Sequence, residues 1–385
     1  MIVERIGVER RVAASLEAGR IPVILGGCGT GRTSLLLRLE RTPSLGVSQY
    51  LNFAAAATTP ERCLSAVLNS ARPPLRRDVQ AVADTPRAAF EALLAWLDRP
   101  TGDDTRVTFL IDEWLDVRTF ENFPGLRHVQ RDLIARLSST RTGFVLASRF
   151  TSRVHRLLRD APARFEVVHV PPLDAAEVAS VARRFDAARG AWAADAAAAV
   201  AALAGGRAAC VSLMLDAIAG MGPAIDPVAA LAALFAPDGR LTARCRESYE
   251  LRLHRARGYG ALKAILGILA DDEPRNLTEI AHALGRTPGS TKDYLSWLED
   301  VDLITAQGKK YTFDDPLIRL YVRLYGRPVP PTDDDIVREV GTYARQRLPQ
   351  TPPAPRDVPK AVPVRSEAVE AVVESARGSG IIEID

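Results

Sequence analysis

The sequence predicts an α/β fold: a parallel sheet with helices on both faces, continued by a mainly helical C-terminal half. Three observations predict it. Short runs that are apolar along their whole length, "IPVIL", "VTFLID", "GFVLAS" and "FEVVHV", alternate with amphipathic stretches, as expected of strands covered on both faces. The first of these runs stops at a glycine-rich turn that opens straight into a helix. From Pro171 to about residue 252 the strand signals cease and helical ones, partly alanine-rich, replace them.

Taken in order, "ERRVAASLEAG" has Val12 and Leu16 at helical spacing and ends at Gly19. "IPVILGG" has strand length, and "TSLLLRLER" resumes with helical character. A second strand is expected at "SQYLNF", a helix at "PERCLSAVLNSA" and another at residues 86–98. The polar turn "RPTGDD" then precedes the strand "VTFLIDE". "LRHVQRDLIARLSS" reads as helix, and "GFVLAS" and "FEVVHV" as the closing strands. Beyond Pro171, "AWAADAAAAVAALAGG" and "AACVSLMLDAIAGM" are helical, and their place after a sheet suggests a lid over residues 171–252. From about residue 253 the order helix, helix, turn, helix, hairpin, with "TAQGKKYTF" as the hairpin, follows the winged-helix plan. The stretch from Arg327 to the last residue carries "RPVPPTDDD" and "PQTPPAPRDVPKAVPV". Such proline density predicts a largely flexible or extended tail, with low order from about Pro349 onward, a short helix at "SEAVEAVVESA" and a final "IIEID" able to pair as a strand or dock as a peptide.

A length of 385 residues implies about two or three domains. With 47% hydrophobic and 25% charged residues the composition is that of a globular protein. A formal net charge of +3 gives no global attraction to nucleic acid or membrane. The basic residues are nearly all arginine, since the five lysines, Lys263, Lys292, Lys309, Lys310 and Lys360, all lie in the last third. Cys28, Cys63, Cys210 and Cys245 stand singly, without the spacing of a zinc site or a disulfide framework, which fits a reducing cytosol. "MIVERIGVERR" has no apolar signal core, and no run of about 18 apolar residues occurs, so neither export nor membrane spanning is expected.

The chemistry sits in "GGCGTGRTS". Gly26, Gly31 and Thr33 match the phosphate-loop pattern G-x-x-x-x-G-K-[ST], with Arg32 in the lysine position. In such a loop Gly26, Gly29 and Gly31 let backbone N–H groups turn inward, so the amides of Gly27, Cys28, Gly29, Thr30, Gly31, Arg32, Thr33 and Ser34 would clasp a triphosphate. Thr33 would add a hydroxyl to Mg²⁺. About 80 residues later, "FLIDEW" delivers Asp112 and Glu113 to a strand end, where sheets of this class assemble their ligand crevice. Asp112 suits Mg²⁺, and Glu113 suits the orientation and deprotonation of an attacking water. Arginine keeps the positive charge of the missing lysine, but its planar guanidinium fits the same cradle imperfectly, so slow hydrolysis is expected.

In the order of "GVERRVAASL", "IPVILGGCGTGRTSLLLRL", "YLNF", "FLIDEW", "GFVLASRFTSRVHRLL", "ARFEVVHVPPLDAAEV", "LAGGRAACVSLML" and "YTFDDPLIRLYVRLY", the chain resembles the archaeal-type ATPases of the STAND branch of AAA+-like P-loop proteins, over about residues 5–326. The resemblance implies a P-loop NTPase core (1–170), a helical lid (171–252) and a winged-helix domain (253–326), with ATP and Mg²⁺ as ligands. It also implies a polar sensor at Ser148, a second sensor at Arg207, and an arginine finger at Arg164 that would reach a neighbour's nucleotide in a homo-oligomer. Three functions remain open: a nucleotide-dependent switch that presents the winged helix and tail to a protein partner, a DNA-binding ATPase regulator, and a non-catalytic scaffold with a degenerate loop. Against DNA, the expected recognition helix offers Lys292 beside Asp293, Glu299 and Asp300, although Lys309 and Lys310 at the wing tip could touch a phosphate backbone.

Overall fold

A computed structural model of the chain describes residues 5–75, 84–98, 107–185, 194–221, 226–253 and 258–349. The first helix, α1 (Ile6–Glu17), leads through Gly19, at a φ of 72°, into β1 (Ile21–Leu25). There follow α2 (Arg32–Leu39), β2 (Val47–Asn52), α3 (Phe53–Ala56), α4 (Pro60–Ser70), α5 (Pro86–Leu97) and β3 (Val107–Asp112). A 3₁₀ stretch (Trp114–Asn122), α6 (Val129–Ser139), β4 (Gly143–Ser148), α7 (Thr151–Leu158) and β5 (Phe165–His169) complete the first half.

The five strands form one parallel sheet in the order β2-β3-β4-β1-β5. The apolar character of the central strands β1, β3 and β4 is explained by burial on both sides. Ile24, Leu110, Val145, Ala147 and Val168 face Val12 and Leu16 of α1 and Leu35, Leu36 and Leu39 of α2. The alternate residues Val23, Leu25, Phe109, Ile111, Phe144 and Leu146 face α4, α5 and α6 through Leu64, Phe90, Leu93, Leu133 and Leu137. Because β4 is inserted between β1 and β3, the loop after β1 and the acids ending β3 flank the end of β4. That crevice at the carboxyl edge is the ligand position of open parallel sheets.

The second half comprises α8 (Ala175–Phe185), α9 (Ala194–Leu203), α10 (Ala208–Gly220), α11 (Pro227–Leu234) and α12 (Arg240–Leu253). It continues with α13 (Tyr259–Asp271), β6 (Arg275–Asn276), α14 (Leu277–Leu284), α15 (Pro288–Asp300), the hairpin β7 (Ile304–Gln307) and β8 (Lys310–Phe313), then α16 (Pro316–Tyr325) and α17 (Asp333–Arg347). The short strands form an antiparallel sheet in the order β6-β8-β7. One apolar cluster runs from Leu173 to Ala344, so residues 171–252 and 253–326 share a core instead of enclosing two.

The helix α17 corrects the expectation of a flexible tail beginning at Arg327. Thr332 and Asp335 form a reciprocal capping box, and Ile336, Val340, Tyr343 and Ala344 bury one face. The Tyr343 hydroxyl donates to the Leu203 carbonyl at 2.9 Å. The prolines that suggested a linker, Pro328, Pro330 and Pro331, stop before the N-cap, where they leave the ladder intact. The expected helix at "SEAVEAVVESA" and the "IIEID" strand lie outside the described residues.

The sheet joins the helical half through Val170–Leu173, and Gly206 packs against this crossing. Leu173 donates its N–H to the Gly206 carbonyl at 2.8 Å. Gly206 has a φ of 62°, and a Cβ there would lie 2.5 Å from Pro172 Cβ and 2.7 Å from the Leu173 carbonyl oxygen. Gly206→Ala should therefore lower stability by at least about 2 kcal/mol, from left-handed strain plus overpacking. Denaturant melts of both proteins measure it, and an unchanged midpoint refutes the role of the crossing.

Candidate functional site

The glycine-rich turn links β1 to α2, whose N-cap is Gly31 at a φ of 97°. Left-handed backbone at that position favours glycine, and it turns the chain directly into the helix. At Gly27 the chain passes close to Arg207, where a Cβ would stand 2.9 Å from Nη1 and the guanidinium would have to shift. The turn is thus tightly enclosed. Ala209 N–H, at the start of α10, donates to the Gly29 carbonyl at 3.0 Å. Arg244 Nη2 lies 3.8 Å from Cys28 Sγ.

Asp112 ends β3 at 3% exposure. Its Oδ2 accepts from the Thr33 hydroxyl at 2.6 Å and from the Tyr50 hydroxyl at 3.1 Å. Its Oδ1 is buried without a hydrogen-bond partner. Burial, with Asp112 adding to it, pushes the Tyr50 phenol up, so that hydroxyl stays a donor to the carboxylate. Glu113 follows at a φ of 51°, an uncommon conformation for a residue with a side chain.

Arg32, 8% exposed, lies across the mouth of the loop. Its Nη2 donates to Glu113 Oε1 at 2.7 Å, and its Nη1 to the Gly27 carbonyl at 2.9 Å. Glu113 Oε2 accepts from the Arg149 N–H at 3.1 Å and lies 3.4 Å from Arg149 Nε. Arg149 also pairs through Nη2 with Asp116 at 3.2 Å. The carboxylate is held between two guanidinium groups. A fork geometry suits arginine to bridging a carbonyl and a carboxylate at once.

The sequence-predicted residues fall into three groups. The segment from Gly26 to Ser34, with Asp112, Glu113 and Arg207, forms one constellation. Arg207 Nη1 donates to the Cys28 carbonyl at 3.1 Å and lies 3.0 Å from Asp315 Oδ2, so it ties the loop to the N-cap of α16. Burial pulls its pKa down, but Asp315 and Asp314 outweigh burial and hold it above the usual value. Ser148 stands at the end of β4, in register with Leu25, but its Oγ accepts from the Phe150 N–H at 3.1 Å.

Arg164, expected to reach a neighbour's nucleotide, lies away from the constellation of its own chain. It precedes β5, so it lies at the edge of the parallel sheet opposite the glycine-rich turn. Its Nη1 donates to the carbonyls of Ser138 at 2.8 Å and Thr140 at 2.6 Å, and its Nε to that of Gly19 at 3.1 Å. These bonds make it a clasp for the end of α6.

Tyr50, Arg244 and Asp315 belong to the site, although their sequence positions did not single them out for it, and so does Arg149, one of four arginines with Arg153, Arg156 and Arg159 that crowd the stretch after Ser148. Arg149 follows directly on the strand carrying Ser148, which was the one local signal. Among the described residues no three His, Cys, Asp or Glu side chains converge as a metal cage. No described helix is long and apolar enough to cross a membrane.

A glycine-rich turn between β1 and α2, a parallel sheet with β4 between β1 and β3, and an acid pair closing β3 define the P-loop NTPase fold. No family model matches the chain, and no curated protein matches it. Among solved structures it is similar to a Walker-type ATPase of Pyrococcus abyssi, at 16% identity and a TM-score of 0.63, over 84% of this chain and 96% of that one. It is more distantly similar to the RuvB Holliday junction branch migration motor of Thermotoga maritima, at 12% identity and a TM-score of 0.43, over 85% and 96% of the two chains.

Proposed function

We propose that the protein binds ATP with Mg²⁺, hydrolyses it slowly, and acts as a nucleotide-dependent switch of the STAND kind that its sequence resembles. One observation carries the reading: the Thr33 hydroxyl sits on Asp112, whose second carboxylate oxygen is buried and unpartnered beside the glycine-rich turn. Hydroxyl and carboxylate oxygens are the donors a small hard cation takes, together with phosphate oxygens, so Thr33 and Asp112 fit Mg²⁺. Bound there, the ion would neutralise charge on the phosphate oxygens as the terminal phosphoryl group leaves.

The chain's own groups supply the rest. Amides of the turn and the N-terminus of α2 favour the phosphate anion. Arg32 would exchange one of its two present acceptors, Glu113 or the Gly27 carbonyl, for a phosphate oxygen. A Glu113 so released can orient a water and accept its proton. Slow turnover follows, because Arg149 holds the same carboxylate from its other side. A titration of ATP and GTP against the purified protein, then a measurement of phosphate release, tests this. Mg²⁺-dependent ATP binding with slow release is expected, and failure to bind either nucleotide overturns the reading.

We read α13 to β8 as a winged helix that serves as a latch. Its element order is helix, strand, helix, helix, hairpin. The helix that would read DNA, α15, instead docks on α7, with Asp300 paired to Arg156. Exchange of nucleotide would then shift how this unit is offered to a protein partner, to the extent that its two positions differ in affinity for ATP and ADP.

A further inference from the structure

We propose that Asp302 is a positioning residue for the hydrolytic site, acting on Glu113 from the C-terminal half of the chain; the inference rests on the ATPase reading above. The connection runs through four consecutive main-chain N–H groups. Arg149 N–H donates to Glu113 Oε2 at 3.1 Å, and Phe150 N–H to Ser148 Oγ at 3.1 Å. Thr151 N–H donates to Asp302 Oδ2 at 2.6 Å, and Ser152 N–H to Asp302 Oδ1 at 3.2 Å.

The last two bonds complete a helix that cannot cap itself. The first N–H groups of a helix lack intrahelical acceptors, and a Ser, Thr, Asp or Asn at the N-cap ordinarily supplies one. In α7 the N-cap is Phe150, which has no acceptor. Asp302 serves in its place from 151 residues away in sequence.

Asp302 is itself held firmly. It is 6% exposed and follows α15 at a φ of 51°. Its carbonyl accepts from Arg252 Nη1 at 2.7 Å, and its N–H donates to the Glu299 carbonyl at 3.0 Å. Asp300, two residues earlier, pairs with Arg156 on α7. Segment 149–152 is therefore fixed at one end by Glu113 and at the other by Asp302. Four linked residues in defined hydrogen bonds transmit a displacement of one carboxylate to the other.

The test uses the full chain with Asp302→Asn, which keeps size but places an amide N–H₂ against one of two N–H donors. The expected result is a kcat about tenfold to a hundredfold lower, the range that a small misplacement of reacting groups costs. KM and the ATP dissociation constant should stay within about threefold, because no phosphate-binding group is touched. Amide hydrogen exchange should accelerate at Thr151 and Ser152 and also at Arg149. An unchanged kcat, or faster exchange at Thr151 and Ser152 with none at Arg149, overturns the proposal and leaves Asp302 a local cap. If Asp302→Asn does not fold, Asp302→Glu, which retains both oxygens on a longer arm, is read by the same measurements: a lowered kcat with retained affinity supports the proposal, and parental kcat with faster exchange at Thr151 refutes it. If the parent protein neither binds nor hydrolyses ATP, the ATPase reading fails separately, and exchange at Arg149 still decides the coupling.

Discussion

Glu113→Gln should reduce ATP hydrolysis by about 10²–10⁴-fold, the contribution of a positioned general base, while ATP remains bound. The substitution keeps shape and removes charge. It thereby removes the anionic partner of Arg32, which lies at 2.7 Å with both residues 8% exposed, and leaves only an amide oxygen to accept. Breaking a buried pair by neutralising one partner leaves the other in need of a counter-charge. Here a phosphate oxygen is at hand to supply it, so affinity for ATP should hold or rise. Single-turnover phosphate release alongside equilibrium binding separates the two effects. Unchanged hydrolysis would show that Glu113 serves only to hold Arg32 and Arg149.

The second large effect is expected at the metal position. Thr33→Ala and Asp112→Asn should each weaken Mg²⁺-dependent ATP binding by at least about tenfold, the lower bound of what even a supporting hydrogen bond is worth to a bound metal. Asp112→Asn also deprives Thr33 and Tyr50 of a charged acceptor, bonds now at 2.6 and 3.1 Å. ATP dissociation constants with Mg²⁺ and with a chelator measure this. The difference between the two conditions should shrink in both variants. Parental Mg²⁺ dependence in Asp112→Asn would remove the ion from this site.

The central strands were legible in the sequence because burial on both faces leaves them mostly apolar, with a few hydrogen-bonded exceptions such as Thr108. "IPVIL" and "GFVLAS" match β1 and β4 residue for residue. The motif halves were legible because phosphate binding restricts residue type at fixed spacing. Arg32 was recognised as the departure, but its partners were not, since Glu113 lies 81 positions away. The helix α7 was missed for a related reason. "TSRVHRLL" has no local capping signal, and the group that caps it comes from beyond α15. In α17 the prolines were read as breakers, whereas they only delimit the helix.

The single apolar cluster from Leu173 to Ala344 has a mechanical consequence. The described residues that share this cluster are expected to move as one lever whose fulcrum is the short crossing that Gly206 braces. Such a lever cannot loosen Arg207 from the Cys28 carbonyl while Asp302 keeps its grip on α7. Departure from the nucleotide loop and release of the β4 exit are then a single all-or-none event, seen by any pair of probes as one transition.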